Sequence, residues 1–181
     1  MNERRNTFGQ AYALTVMTSI LEGHESLLTR YLSTLEAGPQ SPLAGVPGTH
    51  FARLVVIGDV VDEGTGRPDH LSVGRLLFTS NFDGPLAPYF EKLCRGLGGV
   101  ADAIWGHCDG YPGTGDSGAF AAYMRSHQLE SSLFFSAYGE RTVEDVKRSL
   151  AARRQIIDFA VRAQAMGAVE LQKEFREIFA Q

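Results

Sequence analysis

The densest group of reactive side chains lies in one short stretch, Gly106-His107-Cys108-Asp109-Gly110. An imidazole, a thiol and a carboxylate on consecutive residues can move protons or hold a soft divalent metal. The stretch opens a glycine-rich run, Gly106 to Gly118 (GHCDGYPGTGDSG), which excludes a regular helix or strand. Glycines there let backbone approach a large ligand closely. They also make turns, and Asp109-Gly110 is a common turn pair in which glycine supplies positive φ. A stable, closed metal site needs three or four protein ligands, so His50 or His127 would have to converge on His107 and Asp109. The chain has no C-x-x-C, H-E-x-x-H or H-x-H spacing, and no metal site is assigned. Asp109 and His107, the catalytic candidates, are of types that acid–base work uses, and Tyr111 beside them is a candidate ligand contact.

A second set sits in His50 to Val61 (HFARLVVIGDVV), which reads as the strongest strand. His50 and Arg53 are three residues apart and so are expected on opposite strand faces. A buried arginine needs an anionic partner, and Asn81 and Asp83, closing the neighbouring strand, could supply it. His50, Arg53, Asn81 and Asp83 are the expected ligand-binding set, with Arg53 meeting a carboxylate or propionate. The alternative is an internal salt bridge, or an arginine reaching out to water. Other patterns carry less. Cys94 reads as a small core residue. Gly96 to Gly99 (GLGG) follows a helix, where a dinucleotide fingerprint follows a strand. Thr114 to Gly118 lacks the lysine of a phosphate loop. No G-x-S-x-G occurs. Lys147-Arg148 and Arg153-Arg154 read as a solvated helix face.

The elements that must position these groups follow from local pattern. Tyr12 to Ile20 (YALTVMTSI) is a predicted strand. Leu27, Leu28, Tyr31, Leu32 and Leu35 recur at helical steps. Ala37 to Thr49, with three prolines and three glycines, is a long loop. Leu71 to Phe82 is a strand, paired with His50 to Val61 as a hairpin across Asp62 to Asp69. Asp83 as N-cap and Pro85 in the first turn open a helix whose stripe is Leu86, Tyr89, Phe90, Leu93 and Leu97. Short helices are expected at Val100 to Trp105 and Ala119 to His127. Ser131 to Tyr138 (SSLFFSAY) reads as a fourth strand. Thr142 and Asp145 form a capping box for a long helix with Val143, Val146, Leu150, Ile157 and Val161 on its apolar face. Gly167 breaks it before a last helix, Val169 to Phe179. Residues 1–10 are expected to fray, and 11–181 to form one domain with a helical extension over 142–181.

The resulting order, β-α-β-β-α-β and then helices, is ferredoxin-like α+β. Both alternate sets in the His50 strand are largely apolar, which predicts that both sheet faces are covered. A second copy of the sheet, giving a barrel-like homodimer, or the chain's own final helices would serve.

Composition sets the class. The chain has 181 residues, 44% of them hydrophobic and 21% charged, which is globular. A net charge of −4 argues against nucleic acid or an anionic membrane as partner. No apolar run approaches the ~18 residues of a span, and the polar Met1 to Asn6 is not expected to open a secretory signal. Two cysteines are too few for a disulfide framework, so a cytoplasmic location is expected.

The element order over roughly Tyr12 to Arg154 resembles the dimeric α+β barrel superfamily. That group includes small haem-degrading monooxygenases, antibiotic-biosynthesis monooxygenases, chlorite dismutase-like proteins and dye-decolourising peroxidases. THFARLVVI, LLFTSNFDGPL and IWGHCDGYPG also resemble a group of bacterial proteins of unassigned role. Gly106 to Gly110 is similar to the G-x-x-D-G motif of dye-decolourising peroxidases, whose aspartate takes a proton from peroxide beside haem. The resemblance implies haem as a cofactor, Asp109 as the acid/base group and His127 as the cofactor-binding axial ligand. It implies a haem- or peroxide-linked oxidoreductase acting on a small molecule. The chain departs from that family in length, and His127 lies only seventeen residues beyond Gly110. The alternative is a non-catalytic dimerising or accessory module. A cavity of ~300 Å³ lined by His50, Arg53 or Asp109 favours the first reading, and a filled core the second.

Overall fold

The computed structural model describes residues 5–58 and 71–179. The chain divides into two compact units, Met1–Thr142 and Val143–Gln181.

In the first unit, alternation writes the sheet. Strand β2 (Ala11–Ser19) places Tyr12, Leu14, Val16 and Thr18 on one face, and β4 (Arg75–Asp83) places Phe82, Ser80, Phe78 and Leu76 directly opposite them. Strand β3 (Thr49–Ile57) pairs antiparallel with the other side of β4. Two-residue strands β1 (Thr7–Phe8) and β5 (Gln128–Leu129) pair antiparallel with β2. The result is an open, five-stranded antiparallel α+β sheet with order β1-β2-β4-β3, and β5 beside β2.

One face carries the core. Helices α1 (Glu25–Leu32), α2 (Leu86–Leu97), α3 (Gly99–Trp105) and α4 (Ser117–Ser126) contribute Leu28, Phe90, Leu93, Ile104, Trp105, Phe120 and Met124 to the same buried cluster as Leu14, Val16 and Phe78. The expected α2 stripe is buried at every position. Burying side chains of this size supplies about 1.5–3 kcal/mol each. Aromatic rings order the cluster. Trp105 meets Phe78 and Phe120 edge-on at 5.4 and 6.3 Å, and Phe82 stacks between Tyr12 and Tyr89 at 5.1 and 3.6 Å. Gly98, at φ +47°, turns the chain from α2 into α3 in a conformation that other residues avoid.

Three expectations change. Pro85, not Asp83, is the residue before α2; Asp83 closes β4 and its carboxylate is engaged by His50 instead. Residues 7 and 8 form β1, and Asn6 is fully buried, so the frayed start does not extend to residue 10. Ser131 to Tyr138 is not a strand, and its Leu133, Phe135 and Tyr138 stand 88%, 78% and 77% exposed. On the second sheet face of the single chain, Ala13, Thr15, Met17, Leu77, Thr79, Val55 and Ile57 are half-buried and Phe51 is exposed. On that face β2 mixes polar and apolar residues and β4 is mostly polar (Arg75, Thr79, Asn81, Asp83), whereas β3 is largely apolar. The part of the expected strand beyond Gly58, and Asp62 to Asp69, lie outside the described residues.

In the second unit, α5 (Val143–Ala163) and α6 (Ala168–Phe179) are joined across Gly167. Phe159 meets Phe175 at 5.9 Å, and Arg162 bridges Glu174 at 2.6 Å. No residue of α5 is buried.

Candidate functional site

The glycine-rich loop is irregular yet firmly tied. Cys108 pairs with Ile20 as an isolated bridge at the end of β2. The Asp109 N–H donates to the Ser19 carbonyl at 2.9 Å, and the Leu21 N–H to the His107 carbonyl at 2.9 Å. Gly110 takes φ +68°, as the turn reading of Asp109-Gly110 expects. The far half of the loop hangs on Asp102, whose carboxylate accepts from the Tyr111 hydroxyl at 2.9 Å, the Thr114 N–H at 2.9 Å and the Thr114 hydroxyl at 2.8 Å. The Thr114 hydroxyl first, then the Tyr111 hydroxyl and the Thr114 N–H, hold that carboxyl below its ordinary range against a partial desolvation.

These ties sort the expected residues. Asp109 is exposed and lines a cleft of about 310 Å³ with Ser19, Glu22, Glu25 and Ser72. Gly74 shapes it: a Cβ there would lie 2.7 Å from the Glu25 side chain, so glycine lets that side chain rest on the strand entry. His107 points elsewhere, its Nδ1 3.1 Å from Nδ1 of His24. Desolvation, and then the neighbouring His24, push the His107 pKa down. The Cys108 thiol is buried, accepts from the Thr18 hydroxyl at 3.2 Å and has its pKa raised by burial, which keeps it protonated and unreactive. Tyr111 is bound to Asp102; burial and then that hydrogen bond raise its pKa. Cys94 is buried core, as expected.

His50 and Arg53 lie apart from this loop, and a β-bulge corrects their geometry. Thr49 pairs with Phe82 and Phe51 with Asn81, so His50 is an extra residue. The extra residue breaks the simple alternation. His50 Nε2 meets the Asp83 carboxylate at 2.7 Å, and Asp83 shares the parity of Asn81 and Thr79, the face that Arg53 also takes. The two residues therefore lean toward the same open face. Arg53 is exposed, not buried against Asn81 or Asp83.

His127 follows α4. Its Nδ1 donates to the Tyr123 carbonyl at 2.9 Å and its ring packs on the Tyr123 ring at 4.5 Å. The Tyr123 hydroxyl donates to the Asp109 carbonyl at 3.2 Å. Tyr123 thus fills the interval between His127 and Asp109, which a haem with His127 as axial ligand would have to occupy. The cleft at Asp109 also carries two further carboxylates, which would repel propionates. The residues present do not fit haem.

Among the described residues no three or more His, Cys, Asp or Glu side chains are gathered around a metal position. A second cleft, about 280 Å³ and mostly apolar, lies against Ala52 and Leu54 of β3, with Leu32, Leu43, Leu97 and Ile104 as walls. No described helix is long and apolar enough to cross a membrane. His24, Glu22, Glu25 and Asp102 were not among the expected residues. The signal that could have found the first three is Glu22-Gly23-His24-Glu25 just past a strand end, where chain turns gather polar groups. No protein-family model, curated protein or solved structure matches this chain.

Proposed function

We propose that the chain is a ligand-pocket protein of the α+β kind whose cleft at Asp109 takes a small cationic molecule. The supporting observation is that cleft: about 310 Å³, lined by Asp109, Glu22 and Glu25, with Ser72 beside them and the Ser19 hydroxyl held by the Arg75 guanidinium. Three carboxylates around one opening focus a negative potential, which attracts an amine or guanidinium group. The Ser72 hydroxyl beside them orients it by a hydrogen bond. In an acid–base reaction Asp109 is the group placed to accept a proton from the bound molecule. The peroxide-linked oxidoreductase suggested by the G-x-x-D-G resemblance rests on that same carboxylate, and the haem-linked version draws no support from Tyr123 or the acidic cleft. Calorimetric titration with 1,4-diaminobutane tests the reading. Saturable binding is expected, weakened about twofold to fivefold by Asp109→Asn, the worth of one exposed ion pair. Binding that is absent, or indifferent to Asp109→Asn combined with Glu22→Gln and Glu25→Gln, removes it.

A second reading is a dimerising module, favoured by the open sheet face. Met17, Val55, Ile57 and Leu77 are only half-buried there, and Phe51 is 76% exposed. Two copies packed face to face would give the ferredoxin-like barrel dimer, and β5 beside β2 with β4 between β2 and β3 is compatible with that topology. Sedimentation equilibrium should then show a dimer that Phe51→Asp converts to monomer. A monomer at every concentration rejects this reading.

A further inference from the structure

We propose that His24 and His107 form an open two-histidine site for a divalent transition-metal ion of the zinc, cobalt and nickel class. The two Nδ1 atoms lie 3.1 Å apart with their rings inclined at 71°. Metal–imidazole bonds of about 2.0–2.1 Å place two nitrogens on one ion about 3.3 Å apart in tetrahedral geometry and about 2.9 Å apart in octahedral geometry. The observed separation falls between the two, so the nitrogens need not move apart; each ring turns so that its lone pair leaves the line to the other nitrogen and meets the ion. Without metal, one ring donates its Nδ1–H to the other. On loading, that ring shifts its proton from Nδ1 to Nε2 and both Nδ1 lone pairs turn to the ion, so no proton is lost overall.

The backbone fixes this spacing. The His24 N–H donates to the Leu21 carbonyl at 3.0 Å, and the Leu21 N–H donates to the His107 carbonyl at 2.9 Å. The Leu28 N–H holds the His24 carbonyl at 2.9 Å as α1 begins. Residue 21 therefore ties both histidines into one unit, and little ordering remains to be done on binding. Two protein ligands leave the other positions to water, so the site is weaker than a closed structural one and is free to exchange. Imidazole nitrogen selects borderline ions over magnesium or calcium, which take oxygen. This site does not depend on the cationic ligand proposed for the cleft.

The test is calorimetric titration of the full chain with zinc or nickel chloride, with magnesium chloride as control, alongside long-range ¹H–¹⁵N spectra of the histidine rings. One saturable ion per chain is expected, with magnesium silent and the Nδ1 signals of His24 and His107 moving together. His24→Gln and His107→Gln should each cost more than the roughly 10- to 100-fold that losing a second-shell partner costs. The proposal is overturned by absent uptake, by uptake that survives the double variant, or by Nδ1 signals that stay still while metal binds. The ring spectra use the unaltered chain and decide the matter even if the variants fold poorly.

Discussion

Two segments of the first unit look opposite in the sequence and reverse roles in the structure. Gly106 to Gly118 has the composition of a loose loop, yet Cys108 is buried, and bonds from Ser19, Leu21, Asp102 and Tyr123 hold the segment in place. Ser131 to Tyr138 has the composition of a strand, yet it joins no ladder and exposes Leu133, Phe135 and Tyr138. Order here follows from partners, not from propensity. A strand needs an unpaired edge, and the outer side of β2 is already used. β1 and β5 pair there, the Ala13 N–H donates to Asn6 and the Met17 N–H donates to His127. The Ser131 N–H goes to the Asn6 side chain instead.

Three substitutions sharpen this contrast. The largest effect belongs to Phe120→Ala. Phe120 is fully buried and meets both Trp105 and Tyr111, which ties the loop to the core. Its removal should cost about 3–5 kcal/mol in urea unfolding. A loss below about 1 kcal/mol would mean that the loop is not coupled to the core.

An intermediate effect belongs to Asp102→Asn, which weakens the bonds to Tyr111 and Thr114 and should cost about 0.5–1.5 kcal/mol at neutral pH. The folded carboxyl titrates below its unfolded value near 3.8. Its contribution is therefore fully present above that value and is lost as pH falls through the folded value. Unfolding curves from pH 6 to pH 2 should converge for the two proteins at the acid end. Parallel curves would show that Asp102 carries no such linkage.

The smallest effect belongs to Phe135→Ala, expected within about 0.5 kcal/mol because the ring touches mostly water. A loss comparable to that of Phe120→Ala would show that Ser131 to Tyr138 is covered in solution.

The stripe of α2 was legible because the helical period of 3.6 residues is short-range, and β2 and β4 were legible because β-branched, aromatic and apolar residues cluster within each. Asp109 was legible as a candidate for a related reason, since a carboxylate among glycines marks a turn that exposes it. His24 was not, because its partner is 83 residues away and nothing in the local pattern points to it. The faces of His50 and Arg53 were misjudged because one bulged residue cancels an alternation argument, and a bulge leaves no mark in residue type. Asp83 fits an N-cap by type, but the histidine that the bulge delivers takes its carboxylate.

By itself the sequence determined the α+β class, the places of β2, β3, β4 and the helices, and the buried stripe of α2, because these follow from periodicity and from glycine and proline chemistry within a few residues. Only the tertiary structure decided which side chains meet. The cleft at Asp109, the paired imidazoles and the tyrosine that fills the space beside His127 all join residues from distant segments. Such contacts depend on how elements pack in three dimensions, and that packing is set by the whole core at once.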